Sequence, residues 1–258
     1  MKQTVDEDFV NRDWRSDPRF FTLEERIKYA VVPPRLYLRN LVCRRLKKGE
    51  EELHVLDRLV RPGSVAIDIG ANKGLYSWLL SRIASEVKAF EPNPKMYTIL
   101  SRSVPDNVET FEIALSDSGG EAELILPIHR NGRYSNQGGT LQAAKYLSGK
   151  QTQKWPVRQE RLDTYRFSNV SFIKIDVEGF ELEVIDGAKE MIQRSKPNLL
   201  IEIDPSQNGV RLSDAIGQIE ARGYNTYCVS GREFVRFDAR SQVEPLTNNF
   251  IFRRSDSV

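Results

Sequence analysis

A chain of 258 residues, 40% of them hydrophobic, is long enough for one large domain with an extension. Its 38 basic and 36 acidic residues leave a formal net charge of +2, so no overall field favours a nucleic-acid or membrane partner. Cys43 and Cys228 form no CxxC pattern, which argues against a disulfide framework or thiolate zinc site and for a reducing cytoplasm. No apolar stretch is long enough to cross a bilayer, and we expect neither an export signal nor a span.

Residues 1–60 predict a helical N-terminal extension. Their apolar side chains recur at helical spacing, and Pro33 with Pro34 interrupts the pattern. The segment 39–48 is basic and amphipathic, so it can meet an acidic ligand or an anionic membrane surface. A solvated helix face is the commoner meaning of such a segment.

Residues 61–258 predict a single α/β domain, because short apolar runs alternate there with helical stretches, as in βαβ units around a parallel sheet. The strand candidates are 64–69, 87–90, 108–114, 170–175, 199–203, 224–229 and 249–252, and helix candidates begin at Leu75, Pro94, Phe180 and Leu212. The last two strands lack an intervening helix, so a pair joined through Gly231 and Arg232 would place one antiparallel strand in the sheet. The predicted fold is therefore a doubly wound, mostly parallel seven-stranded sheet.

The interval 117–160 does not fit a minimal α/β unit. A strand-like run at 122–126 is followed by a polar, glycine-containing stretch at 129–154. Because long loops with little structure of their own are often functional, we predict an inserted loop or lid that contacts substrate.

A cofactor loop is predicted after the first strand, where an apolar run leads into a turn that opens a helix at Leu75. Gly70 and Gly74 lack the Cβ atoms that would keep a ligand from the turn, and the helix start offers unpaired N–H groups. Asp68, at the end of the strand, can face a cationic or polar group of that ligand. Glu91 ends the next strand about 20 residues on, where a carboxylate can accept both hydroxyls of a ribose. The two elements together predict an adenosine-type ligand.

The spacing of this turn favours S-adenosylmethionine over a nicotinamide dinucleotide. A dinucleotide fingerprint needs GxGxxG to seat a pyrophosphate. Here Gly70 and Gly74 are four residues apart, and the residue two positions after Gly70 is Asn72, so the glycine spacing of that fingerprint is absent. An acidic residue just before the first glycine suits a ligand with a positive amino group and would repel a pyrophosphate.

Four segments resemble the FkbM family of methyltransferases: DIGANKGLYS at 68–77, FEP at 90–92, ALSD at 114–117 and FIKIDVEGFE at 172–181. RLDTY at 161–165, LIEI at 200–203 and NNF at 248–250 are also similar to that family. The resemblance covers residues from about 50 to 252. It implies the seven-stranded class I methyltransferase fold, S-adenosylmethionine as donor and, in many members, O-methylation of a sugar or natural product.

The resemblance also implies which residues bind the cofactor. The residues expected to line its methionine part are Asp68, Gly70, Asn72 and Gly74, with Glu91 at the ribose, Ser116 and Asp117 at the adenine, and Tyr76 and Pro92 in the same motifs. Without the other motifs, Ser116 and Asp117 would pass equally well as an ordinary turn after a strand.

Asp176 and Glu178 are the first candidates for assisting methyl transfer. They follow the fourth long strand, where ligand crevices of such sheets open, and their alternate positions favour one common side. One can act as a base and the other as an orienter, or both can bind a divalent cation such as Mg²⁺. Lys174 is the expected ion partner of Asp176, and Glu178 can equally be a helix-start carboxylate. Glu202, at the end of the next strand, is a third candidate acid, although a salt bridge is its commoner role.

We therefore expect an S-adenosylmethionine-dependent O-methyltransferase acting on a hydroxyl of a sugar, glycoconjugate or polysaccharide precursor. A secondary metabolite is the alternative acceptor, and a nicotinamide-dependent oxidoreductase or a non-catalytic cofactor-binding protein is the alternative of another class. Expected partners are a small-molecule or carbohydrate acceptor and no nucleic acid. His54 and His129 have no metal-spaced partner, and the sequence predicts no oligomeric state.

Overall fold

The computed structural model describes residues 23, 25, 27, 31–48, 50–128, 139–141, 151–239 and 247–254. His129 and most of the polar stretch predicted as a lid lie outside these residues.

Eleven strands are described. They are β1 Val65–Ile69, β2 Glu86–Phe90, β3 Val108–Phe111, β4 Ala114–Leu115, β5 Gly120–Pro127, β6 Thr152–Glu160, β7 Val170–Ile175, β8 Asn198–Glu202, β9 Tyr224–Ser230, β10 Glu233–Arg236 and β11 Asn249–Arg254. Eight of them form one sheet in the order β10-β9-β11-β8-β7-β1-β2-β3, and the other three form a small sheet in the order β4-β6-β5.

Seven α-helices accompany these strands in the described part of the chain. They are α1 Pro34–Lys48, α2 Leu75–Leu80, α3 Pro94–Ser103, α4 Glu181–Gly187, α5 Lys189–Ser195, α6 Pro205–Asn208 and α7 Leu212–Glu220. The start of α3 shows how local sequence sets a boundary. The side chain of Asn93 accepts hydrogen bonds from the N–H groups of Lys95 and Met96, and Pro94 occupies the first turn, where no N–H is needed. Among the described helices, none is both long and apolar enough to cross a bilayer.

The predicted α/β class with a mostly parallel sheet is confirmed. The strands β3, β2, β1, β7 and β8 are mutually parallel, and β11 is the predicted antiparallel strand between β8 and β9. The turn at Gly231 and Arg232 was expected to join the last two predicted strands directly, but it does not. It leads into β10, an eighth edge strand antiparallel to β9. The hydrophobic pattern did not reveal β10 because this strand has only four residues and no buried face.

The sheet is covered on both faces because successive residues of its strands point to opposite sides. Ile67 and Ile173 belong to a core shared with the helices α4, α5 and α7. Ala66 and Phe172, their neighbours in sequence, belong to a second core shared with α1, α2 and α3. Even-numbered residues of β1, β7 and β8 therefore face the side of the N-terminal helices.

Helix α1 of the N-terminal extension is part of this second core. Leu38 and Val42 are fully buried in it. A Cβ on Gly74 would lie 2.9 Å from Cδ1 of Leu100 and 3.6 Å from Cδ2 of Leu38, so the glycine allows α1 and α3 to pack against the start of α2. Gly74 thus has a role in helix packing.

The interval predicted as an inserted loop contains more regular structure than the sequence pattern indicated. Strands β5 and β6 form a long antiparallel pair, and β4 adds to β6 in parallel. The predicted strand at 108–114 is therefore divided into β3 and β4, because the chain leaves the large sheet after Phe111 and joins the small one at Ala114. Leu124, Leu126 and Val157 form the apolar cluster of this small sheet.

The small sheet is held against the main domain at Gly187, the last residue of α4. A Cβ on Gly187 would lie 1.9 Å from the carbonyl oxygen of Ser116, whereas a Cβ on Gly217, within α7, would have no heavy atom within 4 Å. We predict that Gly187→Ala lowers the free energy of unfolding by about 1–3 kcal/mol because the backbone must move. Gly217→Ala should leave it unchanged or raise it by up to about 1 kcal/mol.

Urea denaturation of the two variants and the wild type measures this difference. Equal midpoints for Gly187→Ala and the wild type would show that the chain tolerates separation of Ser116 from α4.

Candidate active site

A cavity of about 780 Å³ opens at the carboxyl ends of β1, β2, β7 and β8. This is the edge at which open α/β sheets bind ligands. Its lining residues come from the end of β1 and the segment after it (Ile69, Gly70, Ala71, Asn72, Lys73, Leu75, Tyr76), the end of β2 and the segment after it (Phe90, Glu91, Pro92, Asn93, Met96), the region of the small sheet (Ile113, Ala114, Leu115, Leu124, Gly139, Leu141), the strands β7, β8 and β11 and the segments after β7 and β8 (Lys174, Asp176, Val177, Glu178, Phe180, Glu202, Gln207, Asn249) and the N-terminal extension (Leu41, Arg45, Glu50).

The loop after β1 has the left-handed backbone that its sequence favours. Gly70 has φ +76° and Asn72 has φ +50°, both in the region that glycine and asparagine tolerate best. A Cβ on Gly70 would lie 1.8 Å from the carbonyl oxygen of Asp176. Gly70 thus lines the cavity. The absence of its Cβ was expected to make room for a ligand, but it makes room for the neighbouring loop of the protein.

Glu91 is anchored at the base of the cavity. Its Oε2 accepts a hydrogen bond from the N–H of Asn72 at 2.7 Å, and its Oε1 accepts one from the N–H of Asn93 at 2.8 Å. Burial raises the pKa of the Glu91 carboxyl to about 7, although these two backbone N–H groups favour the charged form. Each carboxylate oxygen has a second lone-pair direction, so Glu91 can accept two more hydrogen bonds from a ligand.

Asp68 lies beneath the cavity and does not line it, contrary to its expected place against a ligand. It is fully buried, and its Oδ2 accepts a hydrogen bond from Oγ of Ser77 at 2.5 Å. Asp68 is the cross-strand partner of Lys174, and both side chains face the N-terminal helices. Burial raises the pKa of Asp68, whereas the ammonium of Lys174 acts to lower it. The carboxylate therefore helps to balance the charge of a buried lysine.

Lys174 connects Asp68 to the cavity. Its Nζ donates a hydrogen bond to Oδ2 of Asp176 at 2.8 Å, which confirms the predicted ion pair. The lysine side chain is 6% exposed and that of Asp176 is 31% exposed, so the aspartate is the partner that reaches open space. Burial by itself lowers the pKa of Lys174, but the carboxylates of Asp176 and Asp68 outweigh it and raise that pKa above its ordinary value.

Tyr76 links this ion pair to the N-terminal extension. The Nζ of Lys174 lies 4.8 Å from the centre of the Tyr76 ring, within the range of a cation–π contact. The Tyr76 hydroxyl donates a hydrogen bond to Oε2 of Glu50 at 2.7 Å. Burial, followed by the nearby carboxylate of Glu50, raises the pKa of Tyr76 well above its usual value, so the phenol stays a donor.

Glu178 follows Asp176 in a turn with unusual backbone angles. Glu178 has φ +55° and Gly179 has φ +102°. The Oε1 of Glu181 accepts hydrogen bonds from the N–H groups of Val177, at 3.3 Å, and Gly179, at 3.0 Å. Glu181 therefore holds the turn from both sides of Glu178, a role that the sequence analysis missed because it depends on the fold of the turn itself.

Glu202 stands at the end of β8, on the same side of the sheet as Lys174. Burial and the neighbouring carboxylate of Asp176 raise the pKa of the Glu202 carboxyl to about 8, although Lys174 acts in the opposite direction. The structure thus gathers all three predicted acids, Asp176, Glu178 and Glu202, around one cavity. A carboxyl with a pKa near neutrality is suited to exchanging a proton with a bound ligand.

Ser116 and Asp117, expected at an adenine, are not among the residues that line the cavity. Ser116 is buried, and its N–H donates to the carbonyl of Glu160. The preceding residues Ile113 and Leu115 line the cavity instead, which gives it an apolar side. The other expected cofactor residues at the cavity are Gly70, Asn72, Tyr76, Glu91 and Pro92.

Local sequence patterns did not indicate that residues of the N-terminal extension and two amides line the cavity. Leu41 and Arg45 lie one turn apart on α1, and Glu50 follows that helix. Gln207 and Asn249 complete the rim near Glu202, where Asn249 is the cross-strand partner of Glu202. The basic pattern at 39–48 was the one available signal for Arg45.

A metal site at Asp176 and Glu178 gains no support. Within the described ranges, no group of three or more His, Cys, Asp or Glu side chains is arranged to hold a metal ion. The nearest cation to Asp176 is the ammonium of Lys174. That ammonium already satisfies one oxygen of the carboxylate that the expected ion would have shared.

The amino-acid sequence of the chain matches those of known methyltransferases. The family profile described as the methyltransferase FkbM domain matches residues 68–226, more than half of the chain. The chain is 29% identical over 177 residues to the hexuronic acid methyltransferase AglP of Haloferax volcanii, covering 65% of this chain and 70% of that protein. It is 27% identical over 157 residues to the 2-O-methyltransferase NoeI of Sinorhizobium fredii, covering 55% of this chain and 64% of that protein.

A crystal structure of a methyltransferase FkbM from Methylobacillus flagellatus is also similar. It is 14% identical, with a TM-score of 0.47, and the alignment covers 78% of this chain and 50% of that one. This chain thus spans about half the length of that solved protein. The profile match includes the loop after β1, Glu91 and the acids after β7 and β8. The chain belongs to the FkbM family of methyltransferases.

Proposed function

We propose that this protein transfers a methyl group from S-adenosylmethionine to a hydroxyl of a sugar or sugar-containing molecule. The observation that supports this most is the convergence of Asp176, Glu178 and Glu202 on the cavity that Glu91 and the loop after β1 also line. One part of the cavity thus suits an adenosine, and another offers proton acceptors.

The donor side of the cavity fits S-adenosylmethionine. The Glu91 carboxylate is fixed by two backbone N–H groups and keeps two lone-pair directions for the ribose hydroxyls. Ile113, Leu115 and Met96 form an apolar lining suited to an adenine ring. S-adenosylmethionine, when bound, supplies an activated methyl group on a positively charged sulfur, and the neighbouring carboxylates favour that charge.

On the acceptor side, Asp176 and Glu202 have different environments. Asp176 is held by the hydrogen bond from Lys174 to its Oδ2, which leaves its other oxygen as a hydrogen-bond acceptor. Glu202 forms no such ion pair with any described residue, and burial and the carboxylate of Asp176 raise its pKa to about 8, near the range in which a base is most effective. Asp176 would orient the acceptor hydroxyl, and Glu202 would take its proton. Glu178 would hold the acceptor from the turn.

The class of acceptor is supported by two relatives. One is called a hexuronic acid methyltransferase and the other a 2-O-methyltransferase. Several carboxylates and the amides of Gln207 and Asn249 line the same cavity. Such groups can accept and donate hydrogen bonds to the neighbouring hydroxyls of a sugar. The secondary metabolite remains the second candidate acceptor only through the general resemblance.

We predict that Glu91→Ala weakens binding of S-adenosylhomocysteine at least about tenfold, because hydrogen bonds from hydroxyls to a buried carboxylate are lost. Calorimetric titration of the wild type and the variant measures this change, with NAD as a comparison ligand. Glu86→Ala is the matched control, since Glu86 lies on the same strand but is exposed and paired with Lys88. Binding of NAD alone, or equal affinities in Glu91→Ala and the wild type, would contradict the assignment.

We predict that kcat/KM rises with pH through a midpoint near 8 and levels about one pH unit higher, because Glu202, whose pKa is about 8, must lose its proton before it can accept another. In Glu202→Gln the rate falls by about 10²–10⁴-fold and this rise disappears. Initial rates between pH 6 and 9.5, with labelled methyl donor, provide the profile. A Glu202→Gln enzyme with an unchanged profile would assign the proton transfer to another group.

We predict that Asp176→Asn combined with Glu178→Gln abolishes most turnover while binding of S-adenosylhomocysteine persists. The amides keep the size of both side chains but remove the charge that orients the acceptor. Turnover and calorimetric affinity are measured on the same preparation. Undiminished turnover in the double variant would sink the acid-assisted mechanism.

A further inference from the structure

We propose that Arg45 of the N-terminal extension binds an anionic group, a carboxylate or a phosphate, on the acceptor. The inference rests on the proposed function and deepens it, because it assigns the acceptor to the class of charged sugars. Arg45 would then be a specificity-determining residue contributed from outside residues 68–226, the segment that the family profile matches.

The first step is the position of the extension relative to the reacting groups. Even-numbered residues of β7 and β8 point toward the side of α1, α2 and α3, so Lys174 and Glu202 face that side. Glu50 is tied through the Tyr76 hydroxyl and ring to Lys174, which holds Asp176. Leu41, Arg45 and Glu50 form the wall that the extension contributes to the cavity, and Glu50 ties this wall to the ion pair among the proposed proton acceptors.

The second step is that this wall is held in place. Leu38 and Val42 are fully buried on the inner side of α1, and Leu41 and Arg45 follow them around the helix toward the cavity. The extension is anchored again at the bond between Glu50 and Tyr76. A side chain on such a helix is presented at a defined place, as a specificity-determining residue must be.

The charges of the cationic side chains at the cavity also favour an anionic ligand. Three cationic side chains line the cavity: Arg45, Lys73 and Lys174. Lys174 is paired with Asp176. Across the described part of the chain, neither Arg45 nor Lys73 forms an ion pair or hydrogen bond with another described residue, although carboxylates line the same cavity. Two cations are thus available for ligand anions.

Their positions assign these two cations to different ligands. Lys73 belongs to the loop after β1, next to Asn72, whose N–H is bonded to Glu91. That is the proposed donor side, where Lys73 would pair with the carboxylate of S-adenosylmethionine. Arg45 belongs to the extension wall beside Asp176 and Glu202, the acceptor side. The Arg45 guanidinium matches a carboxylate or phosphate through two parallel hydrogen bonds. It would also offset the repulsion between such an acceptor and the acidic lining.

The experiment compares matched pairs of sugars that differ only in charge. Methyl glucuronide is paired with methyl glucoside, and methyl galacturonide with methyl galactoside; glucose 6-phosphate distinguishes a phosphate from a carboxylate. Affinities are measured by calorimetry with S-adenosylhomocysteine bound, and KM is measured for each sugar that is methylated. We expect a charged sugar to bind at least about tenfold more tightly than its neutral partner, as charge-assisted hydrogen bonds to arginine allow.

Three variants test the role of Arg45. In Arg45→Gln the preference for the charged sugar should disappear through a rise in KM, with little change in the affinity for S-adenosylhomocysteine. Arg45→Lys should restore part of the preference, because it keeps the charge but loses the planar fork. Lys73→Gln is the matched control and should weaken S-adenosylhomocysteine while the preference between sugars persists.

Equal affinity for charged and neutral sugars, including no measurable binding of either, overturns the inference, as does a preference that survives Arg45→Gln. Weaker binding of S-adenosylhomocysteine in Arg45→Gln would assign the arginine to the donor and also overturn it. Failure of the proposed function looks different, because the wild type would then neither bind S-adenosylhomocysteine nor methylate any sugar. A wild type that binds it and methylates a neutral sugar equally well leaves the methyltransferase intact and refutes only the assignment of Arg45.

Discussion

The site depends on the interactions of the buried Lys174 ammonium with two carboxylates. It lies between Asp68, its cross-strand partner, and Asp176, to which it donates a hydrogen bond at 2.8 Å. A buried charge is tolerated only where opposite charges and hydrogen bonds compensate for its lost hydration. Removal of one partner leaves the remaining charge buried without compensation, which destabilises the fold. Lys174 thereby opposes the effect of burial, which raises the pKa of Asp68, and its hydrogen bond fixes Asp176, the carboxylate that reaches the cavity.

The alternation of side chains along the strands explains why the charges gather on one side. Residues at even positions in β1, β7 and β8 face the N-terminal helices, so Asp68, Lys174 and Glu202 share that side without any long-range device. Odd positions such as Ile69 and Ile201 fill the opposite core. The same few strands therefore provide the apolar stability of the sheet and the polar groups at its carboxyl end.

The N-terminal extension completes this arrangement. It covers the polar side with α1 and reaches the ion pair through Glu50 and the Tyr76 ring. The β1 loop and the acids lie within residues 68–226, the segment that the family profile matches, whereas the wall with Arg45 lies outside it.

Local patterns in the sequence determined the alternation of strands and helices, the cofactor loop, the acid at 91 and the acids at 176, 178 and 202, because strand ends and turns depend on neighbouring residues. Only the tertiary structure decided which side each group faces. Asp68 proved to be buried beneath the cavity, Gly70 and Gly74 serve close packing, and Ser116 turned away from the lining. Glu50, Arg45 and Asn249 joined the site across long separations in sequence. Such contacts depend on how whole elements pack, which no short window of sequence contains.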